Sequence, residues 1–205
     1  MDFILIGSTE IGVAHSESFE YFKGAGFRLR GDGVGFSSEY WKRLGLTGGF
    51  NRDTAINYFP AAGLAPFRGE SLKGNAGVTW RPGQRLRFAN SYLYTRLARG
   101  PAVVFTNHIA RSKVYYQFNR EFSLRLTLDY SAVLADTRLA SEEPAKRFNT
   151  DLLVTWLLNP GTAVYFGYSD LRENRLLFRP GFTGGSPDLN TGRQVFVKLS
   201  YLIRR

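Results

Sequence analysis

The chain has no cysteine, two histidines and one methionine among its 205 residues. The lack of cysteine excludes a disulfide framework and any thiolate-held zinc or iron–sulfur site. Two histidines, His15 and His108, stand far apart in sequence and make a poor metal set. No run approaches the eighteen or more apolar residues of a helical membrane span, and the mean hydropathy is -0.22. Helical periodicity of useful length is missing too. So is a low-complexity linker, and we expect one domain over residues 1–205. The start, MDFILIGSTEIG, lacks a basic n-region, and FILIG is too short for the apolar core of an export signal.

What the chain does have is alternation. In FSLRLTLDYSAVLAD, residues 122–136, Phe122, Leu124, Leu126, Leu128, Tyr130, Ala132 and Leu134 share one face. Ser123, Arg125, Thr127, Asp129 and Ser131 share the other. Side chains alternate across a strand, so the segment has one greasy and one wet surface. Residues 71–81 and 194–203 repeat the pattern. It predicts about ten strands, near 2–12, 29–41, 44–58, 70–81, 85–97, 103–117, 121–136, 148–158, 162–173 and 191–203.

Short turns at 41–43, 81–84, 119–121 and 159–161 close alternate hairpins, and Trp41, Trp80 and Trp156 lie at or just before them. Longer connections are expected at 13–28, 59–69, 137–147 and 174–190, with a tight one at 98–102. Segment 13–28 is long enough to hold an extra strand pair. Alternating strands, short turns at one end and an aromatic ring near them describe an antiparallel, up-and-down transmembrane β-barrel. The apolar faces should then form an outward band about 25 Å tall, belted by the tryptophans. A membrane barrel of this kind resides in the bacterial outer membrane.

The net charge of +10 suggests nucleic acid first. The basic residues are scattered, however, and no recognition motif gathers them, so no nucleic-acid partner is expected. Anionic lipid headgroups are the better match for basic side chains at a membrane interface. Lys73, Arg81, Arg87, Arg111, Lys113, Arg125 and Lys198 fall on the proposed lumen face. A ring of such side chains favours anions in a pore. Inward Tyr115, Leu153 and Phe196 argue instead for a narrow or plugged barrel with paired charges. Setting Phe118 opposite Phe122 places Lys113 opposite Thr127 and Arg111 opposite Asp129, which predicts a lumenal ion pair between the last two.

Enzymatic readings fail on geometry. His108 and Ser112 are four residues apart on one strand, about 13 Å at ~3.3 Å per residue, too far for a base and its nucleophile. The glycines of GDGVG (Gly31, Gly33, Gly35) lack both the further glycine and the helix of a dinucleotide fingerprint. Asp53, Asp129, Asp151 and Asp170 lie on different strands and read as members of lumenal ion-pair ladders. No enzyme activity and no cofactor are expected.

From about residue 70 the chain resembles the C-terminal barrel of a family of bacterial outer-membrane proteins of unassigned function. The resemblance rests on VTWRPGQRLRFANSYLYTRL, NHIARSKVYYQFNREFSLRLTLDYSAVLA, FNTDLLVTWLLNPGTAVYFGYSD and GRQVFVKLSYLIRR. In that family a signal peptide and a carbohydrate-binding sandwich, similar to family-nine modules, precede the barrel. The resemblance implies that this chain is the C-terminal part of a larger barrel and that its sheet closes incompletely. It implies outer-membrane lipid and the barrel-assembly machinery as partners, and carbohydrate only through the sandwich, which these residues do not contain. It lends no catalytic residues. The expected role is structural or transport-related; a soluble barrel or sandwich holding an apolar ligand is the alternative, and it would bury the three tryptophans.

Overall fold

A computed structural model describes residues 2–5, 8–174 and 185–201. Among them the chain is all strand and turn. Eleven strands form one antiparallel sheet in strict sequence order: β1 (Asp2–Leu5), β2 (Thr9–Phe22), β3 (Ala25–Trp41), β4 (Leu44–Asn57), β5 (Phe67–Trp80), β6 (Leu86–Arg99), β7 (Ala102–Gln117), β8 (Phe122–Ala135), β9 (Ala145–Asn159), β10 (Thr162–Glu173) and β11 (Leu189–Tyr201). The up-and-down meander predicted from alternation is therefore present. Residues 202–203 of the last predicted strand and most of the 174–190 connection lie outside the described residues.

The N-terminal count differs from expectation. Residues 13–28 are not a long connection but the body of a hairpin, in which β2 and β3 pair from Thr9↔Ser38 to Phe22↔Ala25. The turn is two residues, Lys23 and Gly24, with φ of 46° and 85°. Positive φ at both central positions gives the turn the twist that paired strands require, and glycine carries the second at no steric cost. The predicted strand 2–12 is accordingly two elements. Here β1 runs back along β2 in a four-pair ladder, Asp2↔Gly12 to Leu5↔Thr9.

Register assigns every strand's two faces. One face carries Ile11, Val13, Val34, Phe36, Phe50, Val78, Phe88, Leu124, Leu126, Val154, Phe166, Val195 and Val197, brought together by the ladders from β2 to β11. These side chains do not close into a core: Val34 is 48 % exposed, Val195 59 % and Val197 70 %. The other face is mostly polar, with Asn51, Asp53, Lys73, Thr79, Arg111, Asp129 and Asp151 among its residues.

The long loops fold over that second face, which makes it the inner one. Asn57 Nδ2 donates to the Leu139 carbonyl at 2.9 Å, Ser141 N donates to the Phe59 carbonyl at 3.0 Å, and Pro60 bridges Ala140. Beneath the joined loops sits a small core of Phe67, Leu97, Val104 and Ala140, flanked by Phe105 and Leu139. Val104 reaches it through a bulge. Leu97 opposes Phe105 and Ala98 opposes Val103, so Val104 opposes nothing and is fully buried instead. An extra residue of this kind re-aims a side chain where a ladder ends. Asp136 N fixes the bulge by donating to the Val104 carbonyl at 2.8 Å.

The sheet's outer margins are bare. Every residue of β11 from Arg193 to Tyr201 is exposed, and among the described residues no ladder joins β11 to β1 or β2. Among the described residues, 14–22 of β2 likewise pair along one edge only.

Candidate functional site

Lys73, Arg87, Arg111, Lys113, Arg125 and Lys198 share the inner face of the sheet by register. No ladder pair assigns Arg81 to a face: it lies beyond the end of β5, exposed in the turn, where its amide donates to the Arg43 carbonyl at 2.7 Å. A residue past the last ladder pair has no face to belong to.

The basic set divides into paired and unpaired members. Lys73 Nζ reaches Asp53 at 3.0 Å. Arg111 stands directly opposite Asp129 and holds it through Nε, with Nη2 on the second carboxylate oxygen at 3.3 Å. The hairpin register matches the predicted one: Lys113 opposes Thr127, and the Phe118 and Phe122 rings meet at 4.9 Å. Arg147, which sequence reasoning did not single out, pairs with Glu173 at 2.7 Å across β9 and β10. Its inner-face parity was readable; its partner depended on the register of a loop-bounded hairpin.

Arg87, Lys113, Arg125 and Lys198 make no ion pair among the described residues. Arg87, Tyr115 and Arg125 are successive neighbours in one cross-strand row, with Lys113 the next inner residue along β7. At a strand spacing of roughly 4.8 Å, the row sets the two arginine backbones about 10 Å apart. The nearby Asp151 does not neutralise them, because Ser169 Oγ donates to it at 2.6 Å and Asn149 Nδ2 at 2.7 Å. The unpaired cations thus gather toward the short-turn half of the inner face.

Cavities lie against this face, two of them over its N-terminal strands. One of about 580 Å³ touches Glu10, Ser37, Thr47, Thr79, Arg111 and Lys113. Another of about 510 Å³ lies on Gly12, Ala14, Gly33, Gly49, Asn51 and Asn75. Small residues from β2 to β5 leave this room. The glycines of GDGVG belong here: a β-carbon on Gly31 or Gly33 would collide with Asp53 or Asn51. Phe196 does not fill the space either, because its ring lies flat over Gly167. That weakens the inference from inward bulk to a plug.

Asp170 corrects the expectation of a lumenal ladder. It shares the outer face with Phe166 and Tyr168 and is almost fully buried there by Arg172 at 2.8 Å, Arg193 at 3.2 Å and Asn190. The histidines also sit on the outer face and do not converge. His15 Nδ1 contacts Asp32 at 2.7 Å on β2 and β3, whereas His108 Nδ1 contacts the Tyr92 hydroxyl at 2.7 Å on β6 and β7. No group of metal ligands forms among the described residues. Trp41, Trp80 and Trp156 are each about half exposed on the outer face at the short-turn end, and Trp80 stacks on Phe88 at 5.6 Å.

No protein-family model matches the chain, and no curated protein matches it. Among solved structures, one described as the NanC porin aligns with 99 % of this chain and 90 % of its own, with a TM-score of 0.45 and 12 % identity.

Proposed function

We propose that this chain forms the wall of a bacterial outer-membrane β-barrel and that its polar inner face passes small anionic solutes. The observation that carries the membrane reading is the segregation of the sheet: an exposed apolar outer face with three half-exposed tryptophans at one end, and a polar inner face. Water does not sustain so much exposed apolar surface on a soluble domain, whereas a bilayer solvates it and tryptophans favour its interface. A soluble barrel holding an apolar ligand would turn these faces the other way. Outer-membrane lipid and the assembly machinery are the partners that follow from this reading. The carbohydrate link rests on the sequence resemblance alone.

Anion preference follows from the unpaired Arg87, Lys113, Arg125 and Lys198. A cationic constriction raises the local anion concentration and repels cations. Planar-bilayer recording of the refolded protein under a potassium chloride gradient tests it. Discrete conductance with a reversal potential of anion-selective sign is the expected result, reduced in Arg125→Gln and Lys113→Gln. Cation selectivity, or no conductance from protein whose gel mobility shifts on heating, overturns the transport reading. Protein that stays soluble without detergent overturns the membrane reading itself.

A further inference from the structure

On the outer face of β2 and β3 the apolar pattern stops abruptly. Ile11↔Phe36 and Val13↔Val34 are apolar pairs; the next outward pairs are His15↔Asp32, Glu17↔Arg30 and Phe19↔Arg28. Each step of two residues climbs about 7 Å along the strand. Within three steps the surface passes from hydrocarbon-like to charged, toward the end where the long loops lie. The same boundary recurs on β4 and β5, where Phe50 gives way to Arg52 and Leu72 to Glu70 and Arg68.

A groove of about 570 Å³ opens just above this boundary, lined by Glu17, Phe19, Arg28, Arg30, Thr54 and Arg68. Three guanidiniums face one carboxylate. Arg30 is 3.6 Å from Asp32, but Arg28 and Arg68 make no ion pair among the described residues. The backbone beneath them is fixed. Arg30 N donates to Thr54 Oγ1 at 2.8 Å, and the Thr54 hydroxyl returns a bond to the Arg30 carbonyl at 3.3 Å. Arg68 reaches from β5 past β4, where its Nη1 donates to the Arg28 carbonyl at 3.0 Å. The residue opposite Arg68, Ile56, is buried. Phe19 lies over Gly26 and presents its outer surface, 68 % exposed, to the groove mouth.

We propose that this groove binds the phosphorylated headgroup of an outer-leaflet glycolipid, whose acyl chains lie down the apolar face past Val13 and Val34. The inference rests on the membrane reading above. Guanidinium forks match phosphate oxygens bidentately. The excess positive charge is placed one headgroup's height above the apolar band, on the same face. That juxtaposition selects an anionic amphiphile over a free anion, which would gain nothing from the band, and over a soluble polyanion, which would gain nothing from Phe19.

The test uses the full chain refolded in neutral maltoside micelles, with native mass spectrometry and a fluorescence titration as readouts. The probes are diphosphorylated lipid A disaccharide, its dephosphorylated form and inorganic phosphate. The phosphorylated lipid is expected to bind at least about tenfold more tightly than the dephosphorylated form, a ratio that converts to ~1.4 kcal/mol. Arg28→Gln with Arg68→Gln should erase that ratio, and Arg28→Lys with Arg68→Lys should restore part of it. Glu17→Gln should tighten binding, which keeps the test decisive if the double glutamine variant does not fold. Arg120→Gln, in the β7–β8 turn at the opposite end of the sheet, should leave the lipid ratio unchanged. Equal binding of both lipids, equal binding of inorganic phosphate, or saturation by a soluble polyanion overturns the proposal. A folded, conducting protein without lipid preference would overturn the groove and leave the channel reading standing, whereas failure to conduct with the lipid ratio intact would do the reverse.

Discussion

The middle of the sheet and its margins are built on different terms. Strands β5 to β8 are flanked on both sides by long ladders and lidded by two loops, with Leu97 and Val104 essentially fully buried. β2 and β11 have one long neighbour each, and side chains on both of their faces are exposed. Strand pairing alone satisfies backbone groups on one edge, so a margin strand depends on what adjoins its other edge. β2 and β5 are equally long, at 14 residues each, so what separates them is not strand length but the number of sides on which each is covered.

Hydrogen exchange offers the widest test of that contrast. Amides of β2 beyond Val13 and those of β11 on the unpaired edge should exchange at least ~100-fold faster than those of β6 and β7, because local opening there breaks few contacts. Equal protection across the sheet would erase the distinction. Mutational stability comes next. Leu97→Ala removes a side chain from the lidded core and should cost about 2–5 kcal/mol, while Val195→Ala on the margin should stay within about 0.5 kcal/mol. Denaturant titration in micelles measures both.

The Asp136–Arg138 pair in the β8–β9 loop gives a smaller, pH-dependent effect. Arg138 donates to Asp136 through both its side chain and its backbone N–H, which holds the Asp136 carboxyl down at about 2. A carboxyl depressed in the folded state stabilises above its unfolded value, near 3.8, and that contribution is lost as pH falls toward 2. Limited proteolysis at 136–144 should therefore stay constant down to about pH 4 and rise between there and 2. An Asp136→Asn variant should be cut faster at neutral pH and lack the transition. The smallest effect belongs to Arg111 and Asp129. Arg111 is half exposed, so a double-mutant cycle should return a coupling of only ~0–1 kcal/mol. A larger value would mean that the inner face there is drier than its exposure indicates.

The same contrast explains what the residues disclosed in advance. From β5 to β11, outward residues are mostly apolar and inward ones polar, so period-two alternation gave strand phase, turn positions and the Arg111–Asp129 register. In β2 and β3 the outward positions above Val13 and Val34 include His15, Glu17, Arg28, Arg30 and Asp32 beside Phe19 and Tyr21. Polarity there no longer distinguishes the faces, and the hairpin read as a loop. The Lys23–Gly24 turn lacks the asparagine or aspartate that would have announced it. Asp170 was legible, being in phase with Phe166 and Tyr168; composition, which links acids to lumens, outweighed periodicity. The loop-to-loop seal through Pro60 and Ala140 had no local signature at all, because it joins segments some eighty residues apart.

The four-residue β1 has a consequence for how this sheet can meet itself. Direction reverses at every turn of a meander, so in eleven strands the first and last run the same way. A union of β11 with β1 would have to be parallel, which no other seam of the sheet is. Remove β1 from the count and ten strands remain, with β2 and β11 opposed in direction and suited to an antiparallel seam. Among the described residues β1 pairs with β2 from Thr9 to Gly12, four residue pairs, where β11 has thirteen residues. A β11 that closed onto β2 would compete with β1 for one template, and the parity of the strand count would turn on which of them held it.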